Sequence, residues 1–223
     1  MRYLTIVAIA IFCSGTAWAQ TYELGLIGGG LNYIGDVGST NYIDPNTAVL
    51  GGIFKWNRSK RHSFRASLMA GNIEADDLDS DDLSRQARGY SFDSFFIEGS
   101  LGLEYTFWEF DLHDDFSLPA APYLFTGFNA FAHDIFIVRQ GQLIDDENAV
   151  HFSIPIVLGF KAAVSKDFVL AAEIGARYTF TDSMDGSTPN PIAFGNPNTN
   201  DWYMFSGITI TYTFGRRPCY CNF

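Results

Sequence analysis

The sequence predicts an all-β protein, an eight-stranded antiparallel transmembrane β-barrel with short periplasmic turns and longer extracellular loops. Three observations carry that expectation. Apolar and polar residues alternate with period two in one segment after another, and no segment after the first twenty residues shows a 3.6-residue period. Most of these segments approach the ~9–11 residues that a tilted strand needs to cross a bilayer. The connections between them alternate between tight and long, as they do in outer-membrane barrels.

The N-terminus points to the same compartment. Arg2 precedes an apolar stretch, YLTIVAIAIF, and small residues ending in AWA before Gln20. This is the pattern of a secretory signal peptide over residues 1–19, with cleavage after Ala19 and a barrel domain over 20–223. A permanent anchor would need ~20 apolar residues, more than this stretch holds. The 223-residue chain carries a net charge of −11, and loss of Arg2 makes the mature chain one unit more acidic. Nucleic acid is therefore excluded as a partner, because phosphate binding needs a basic face. Aromatic residues reach 16%, with 21 Phe and 11 Tyr.

Taken in order, the strands begin with roughly 22–33, inside the run LGLIGGGLNYIGDVG. Six glycines raise the possibility of a phosphate-binding loop. No helix pattern follows, no lysine lies within, and Asp36 would repel an anion, so the run reads as barrel wall. Leu24 and Leu26 alternate with Glu23 and Gly25, which sets Gly28 and Gly30 toward lipid and Gly29 toward the lumen. Glycine weakens a strand unless something approaches closely, and Phe54 or Tyr212 could lie across the bare backbone. The second and third strands, 46–57 and 62–73, flank a tight turn at 58–61. In the fourth, 92–108, Phe95, Ile97, Gly99, Leu101, Leu103, Tyr105 and Phe107 share one face, and Glu98, Gly102, Glu104 and Thr106 the other. The fifth, 121–132, and the sixth, 150–164, are separated by a long loop expected at 133–149. The seventh, 168–180, follows a tight turn at 165–167, and the eighth, 202–214, follows a long loop at 181–201.

A soluble sandwich or lipocalin-like barrel would turn its apolar face inward. Aromatic placement favours the membrane barrel. Trp56, Phe107, Trp108, Phe168, Tyr212 and Phe214 fall at the short-turn ends, and Tyr33, Phe95, Phe131, Phe152, Phe180, Trp202 and Tyr203 at the long-loop ends. Two aromatic girdles are expected of a membrane barrel and not of a soluble one.

With the apolar face toward lipid, the charged residues of the other face fill the lumen: Glu23, Lys55, Arg65, Glu98, Glu104, Lys161, Glu173 and Arg177. Four acids meet four bases in a space only wide enough for side chains. Charges so confined must pair. A plugged, salt-bridged lumen is expected, with an ion pathway as the functional alternative.

No other stretch forms a site by motif. The histidines His62, His113, His133 and His151 lie near strand ends, and no pattern fixes one beside a nucleophile, so no catalytic residue is expected and the protein reads as a non-enzyme. The segment EADDLDSDD sets six carboxylates between Glu74 and Asp82, and Asp77, Asp79 and Asp81 have the alternate spacing of a calcium loop. Asp82 stands at the sixth position instead of Gly and Arg88 at the twelfth instead of Glu, so it is no EF-hand. A solvated loop and an opportunistic Ca²⁺ site are the two readings; neither a cofactor nor a structural metal is expected. Cys219 and Cys221 near the C-terminus could pair with each other across a tight, strained loop or with another chain.

The blocks YELGLIGGGLNYIGD, YIDPNTAVLGGIFKWNRSKRHSFRASL, DDLDSDDLSRQARGYSFDSFFIEGSLGLEYTFWEFDL and PYLFTGFNAF resemble the PorG family, the outer-membrane barrels of the type IX secretion system of Bacteroidota. The resemblance covers most of the mature chain and is weaker in the loops after residue 133. It implies a structural part in protein secretion and gliding motility, tying the periplasmic ring of the lipoprotein PorK and its partner PorN to the outer membrane, with both termini periplasmic. On the expected topology the periplasmic face offers Arg58, Lys60, Arg61, Trp108, Arg216, Arg217, Cys219 and Cys221 to such a partner, the arginines and lysine as a basic cluster for an acidic surface or anionic headgroups. The alternative is a generic OmpA/OmpW-like barrel serving envelope integrity or small-solute passage.

Overall fold

The computed structural model describes residues 21–39, 41–112, 119–139, 142–181 and 201–215 and, within these, the side chains other than those of 21 and 134–149. Eight antiparallel strands close into a barrel in chain order: β1 (Thr21–Ile34), β2 (Thr47–Asn57), β3 (His62–Asp76), β4 (Tyr90–Thr106), β5 (Ala120–Arg139), β6 (Gln142–Ala163), β7 (Phe168–Thr179) and β8 (Trp202–Gly215). The seam pairs β1 with β8, from Thr21 opposite Gly215 to Ile34 opposite Trp202. Closure leaves no strand edge, which is what allows a sheet to stand in hydrocarbon. The expected signal segment lies outside the described residues.

Strand positions match expectation except between β5 and β6. The loop expected at 133–149 is mostly hairpin: the two strands stay paired from His133 opposite Ala149 to Arg139 opposite Gln142, with a register shift at Ile137/Val138. The sequence there runs IFIV and then IDDEN, with no alternation. A strand without alternation leaves no period to read, so this one is silent in the sequence.

Face assignment follows the pleat. Leu26, Leu50, Leu68, Leu101, Phe128 and Ile208 point outward and are exposed, whereas Ile27, Ile53, Met69, Phe125, Val157 and Phe205 fill the interior. So large an exposed apolar belt suits lipid and not water. The short-turn girdle lies outward as expected, with Phe107, Trp108, Phe168, Tyr212 and Phe214 exposed. The long-loop girdle is smaller than expected. Phe95, Phe152, Phe180 and Trp202 face outward, but Tyr33, Phe131 and Tyr203 are 3%, 1% and 0% exposed. Their odd positions place them on the lumen face, and chain-end location alone does not reveal which face an aromatic occupies.

Glycines make this narrow closure possible. A Cβ on Gly29 would stand 2.2 Å from the Ser206 carbonyl oxygen and 2.5 Å from Gly207 Cα, across the seam. On the outward side, a Cβ on Gly28 would press only on the tip of Leu50, at 3.2 Å, with the Val49 carbonyl oxygen at an ordinary 3.6 Å, and one on Gly30 would meet Pro45 and the Thr47 carbonyl oxygen. Leu50 and Pro45, not Phe54 or Tyr212, are the neighbours of the bare strip.

Candidate functional site

All eight charged residues expected in the lumen are there, each at most 5% exposed. Nearest the short-turn end, Glu104 on β4 sits between two lysines: Lys161 Nζ donates to Oε1 at 2.8 Å and Lys55 Nζ lies 2.7 Å from Oε2. Arg65 Nη1 and Nη2 donate to Glu173 at 2.7 and 2.8 Å, and Tyr123 Oη donates to the same carboxylate at 2.6 Å. Aromatic faces cover the cations, with Phe125 4.6 Å from the Arg65 guanidinium and Phe110 4.7 Å from Lys161 Nζ. Farther along, Tyr203 Oη donates to Glu98 Oε2 at 2.6 Å and Arg177 Nε stands 3.5 Å from that oxygen. Glu23 is held differently, by Asn57 Nδ2 at 2.7 Å and Thr211 Oγ1 at 2.8 Å.

The network therefore does not pair one acid to one base. Three cations share Glu104 and Glu173, one joins Glu98, and neutral donors serve Glu23. Tyr123 and Tyr203 are members that a search for charges alone passes over; their period-two position on a lumen face was the available signal. The short-turn mouth is also filled. The connection after β4 hydrogen-bonds back through Phe110 N to Lys60 O, and Phe110 and Leu112 pack with Ala121, Ala163 and Val169.

At the same end, Arg58 and Trp108 are exposed. Lys60 and Arg61 do not stand as free cations. Lys60 Nζ lies 3.1 Å from Asp111 and 3.9 Å from Glu109, and Arg61 lies 3.9 Å from Glu109. The acids come from the neighbouring turn, a contact that only the folded pairing of β3 with β4 creates. Arg216, Arg217, Cys219 and Cys221 lie outside the described residues, as does His113.

The acidic stretch is neither solvated throughout nor arranged for calcium. Asp76 caps the 3-10 turn Asp77–Asp79 by accepting from Leu78 N, and Asp82 caps the short helix α1 (Leu83–Arg88) by accepting from Ser84 N, each at 2.8 Å. Gly89 ends α1 in the left-handed conformation at φ 65°. Asp77 is buried and accepts from Arg88 Nε and Nη2 at 2.8 Å, from Tyr90 N at 3.0 Å and from Gly38 N at 3.1 Å. Arg88 also donates to Asp36 O and Arg85 to Gly38 O, so the loop after β3 clasps the loop after β1. Burial pushes the Asp77 carboxyl up, but these donors outweigh it and hold it below its ordinary value. With Asp77 spent on Arg88, the calcium spacing loses its first ligand.

Among the described residues, no three His, Cys, Asp or Glu side chains are grouped to hold a metal ion. Ser59 Oγ lies 3.1 Å from His62 Nδ1, but that hydroxyl already accepts from the backbone of Arg61 and His62 as a turn cap.

Residues 2–223 match the family described as "Domain of unknown function (DUF6089)". No curated protein matches the chain. Solved structures share its outline at low identity. The N-terminal β-barrel domain of Pseudomonas aeruginosa OprF is 11% identical with a TM-score of 0.49, covering 88% of this chain and 98% of its own. OprG of Pseudomonas aeruginosa is 11% identical at 0.47, covering 89% and 97%. A major outer membrane protein of Thermus thermophilus is 16% identical at 0.47, covering 88% and 100%.

Proposed function

The chain belongs to the DUF6089 family, and from that premise we propose that it is a non-enzymatic structural component of the type IX secretion machinery, anchoring the periplasmic PorK/PorN ring to the outer membrane. One observation carries the reading away from transport: the lumen is packed with side chains in which Lys55, Lys161, Arg65 and Arg177 are taken up by Glu104, Glu173 and Glu98. A barrel plugged in this way acts through its surfaces. The four sequence blocks that resemble PorG supply the identity of the partner. The short-turn end, read as periplasmic, offers exposed Arg58 and Trp108 and the mixed-charge patch of Lys60, Arg61, Glu109 and Asp111.

The test is a deletion strain scored for cargo secretion, together with cross-linking pull-down of the tagged barrel from membranes. The expected result is loss of secretion and co-purification of the ring, weakened by Trp108→Ala or by charge reversal at Arg58, Lys60 and Arg61. Normal secretion with an intact ring in the deletion strain would overturn the proposal and leave a generic envelope barrel.

A further inference from the structure

His133 on β5 and His151 on β6 lie diagonally across the pair, since His133 opposes Ala149 and His151 opposes Phe131. Both point into the long-loop half of the lumen. Their rings stack with centroids 5.3 Å apart and planes 25° from parallel. Phe131 completes the cluster, 5.9 Å from the His133 ring and 5.8 Å from that of His151. These contacts use the ring faces. The ring edges are another matter: Nδ1 and Nε2 of His133 and Nε2 of His151 are all buried with no hydrogen-bond partner. Two positions down the same face of β5, both polar side-chain atoms of Asn129 are buried and unpartnered as well.

Buried polar groups nearly always find a partner, because leaving one unmade forfeits its hydration. An aromatic plug alone would be better built from phenylalanine, which has no edge nitrogens to strand. Imidazole is the commonest protein ligand for late first-row metals, and here two stand side by side with unpartnered ring nitrogens. A Lys or Arg salt bridge would keep a cation out; none reaches either histidine among the described residues.

We propose that His133 and His151 form a two-histidine site for a divalent first-row transition ion, Cu²⁺ before Zn²⁺, in the long-loop half of the lumen. Each histidine supplies one nitrogen, and water completes the shell. Binding turns at least one ring out of the stack, because stacked rings present faces and not edges to each other. The site is independent of the role in secretion, so a failed secretion assay leaves it standing.

The experiment is titration of the full, thiol-alkylated barrel in detergent with Cu²⁺, followed by calorimetry and by electron paramagnetic resonance. One saturable ion per barrel is expected, with hyperfine coupling to two nitrogens. His133→Gln and His151→Gln should each weaken binding roughly tenfold or more, and the double variant should abolish it. Retained heat-modifiable migration on gels shows that the variants are folded. No saturable binding to the wild type, or equal binding to the folded double variant through the acidic loop, would overturn the site.

Discussion

Arg65 on β3 and Glu173 on β7 join across the lumen through two hydrogen bonds of 2.7 and 2.8 Å, although 108 residues separate them in the chain. Removing one partner strands the other charge in the buried interior. Arg65→Ala should destabilise the barrel by about 3–5 kcal/mol, read as a lower urea midpoint in lipid vesicles. Arg65→Met combined with Glu173→Leu should recover part of the loss, held short of full recovery by the Tyr123 hydroxyl left without its acceptor. A single variant no weaker than the double would refute the pairing as a stabilising element.

The same packing bears on conduction. Lys55, Lys161 and Glu104, with Phe110 beneath, occupy the short-turn half of the lumen. The purified wild type should show no large, sustained conductance in planar bilayers. Porin-scale steps from a homogeneous preparation would show that the plug yields.

The clasp of Asp77 and Arg88 gives a pH dependence. Asp77 titrates lower in the folded protein than in the unfolded chain, so its contribution is complete above the ordinary carboxylate value of about 4. It is lost as pH falls through the lower folded value. Amide exchange at Gly38 and Tyr90 should therefore rise in strong acid while strand amides keep their protection. Asp77→Asn should raise exchange at those two amides at neutral pH, by an amount corresponding to about 2–3 kcal/mol of local opening. Unchanged exchange in that variant would show that the loops hold without the clasp.

Neighbouring glycines should behave in opposite ways. Gly28→Ala displaces only the tip of Leu50 and should leave folding intact. Gly29→Ala drives a methyl into the backbone of Ser206 and Gly207 and should cost roughly 1–3 kcal/mol at the closing seam. Refolding yield into vesicles separates the two, and equal yields would contradict the seam geometry.

Much of this molecule was legible in the chain. Period-two alternation assigned the lumen face so well that Glu23, Lys55, Arg65, Glu98, Glu104, Lys161, Glu173 and Arg177 all proved buried. It did so because a strand has two faces, and the bilayer rewards only one choice between them. Where alternation ends, the signal ends too, which is why the β5–β6 hairpin read as a loop. Tyr33, Phe131 and Tyr203 misled for a related reason: an aromatic near a strand end suits either a girdle or a lumen cap.

What the sequence determined by itself was membership: which residues meet lipid, which fill the lumen, and how many strands share the work. The tertiary structure alone decided partnership. Arg65 meets Glu173, Asp77 meets Gly38 and Lys60 meets Asp111 only after the strands have paired around a closed ring. Alternation is a local property of a chain, whereas the stagger that brings distant side chains to one height is set by closure of the whole barrel.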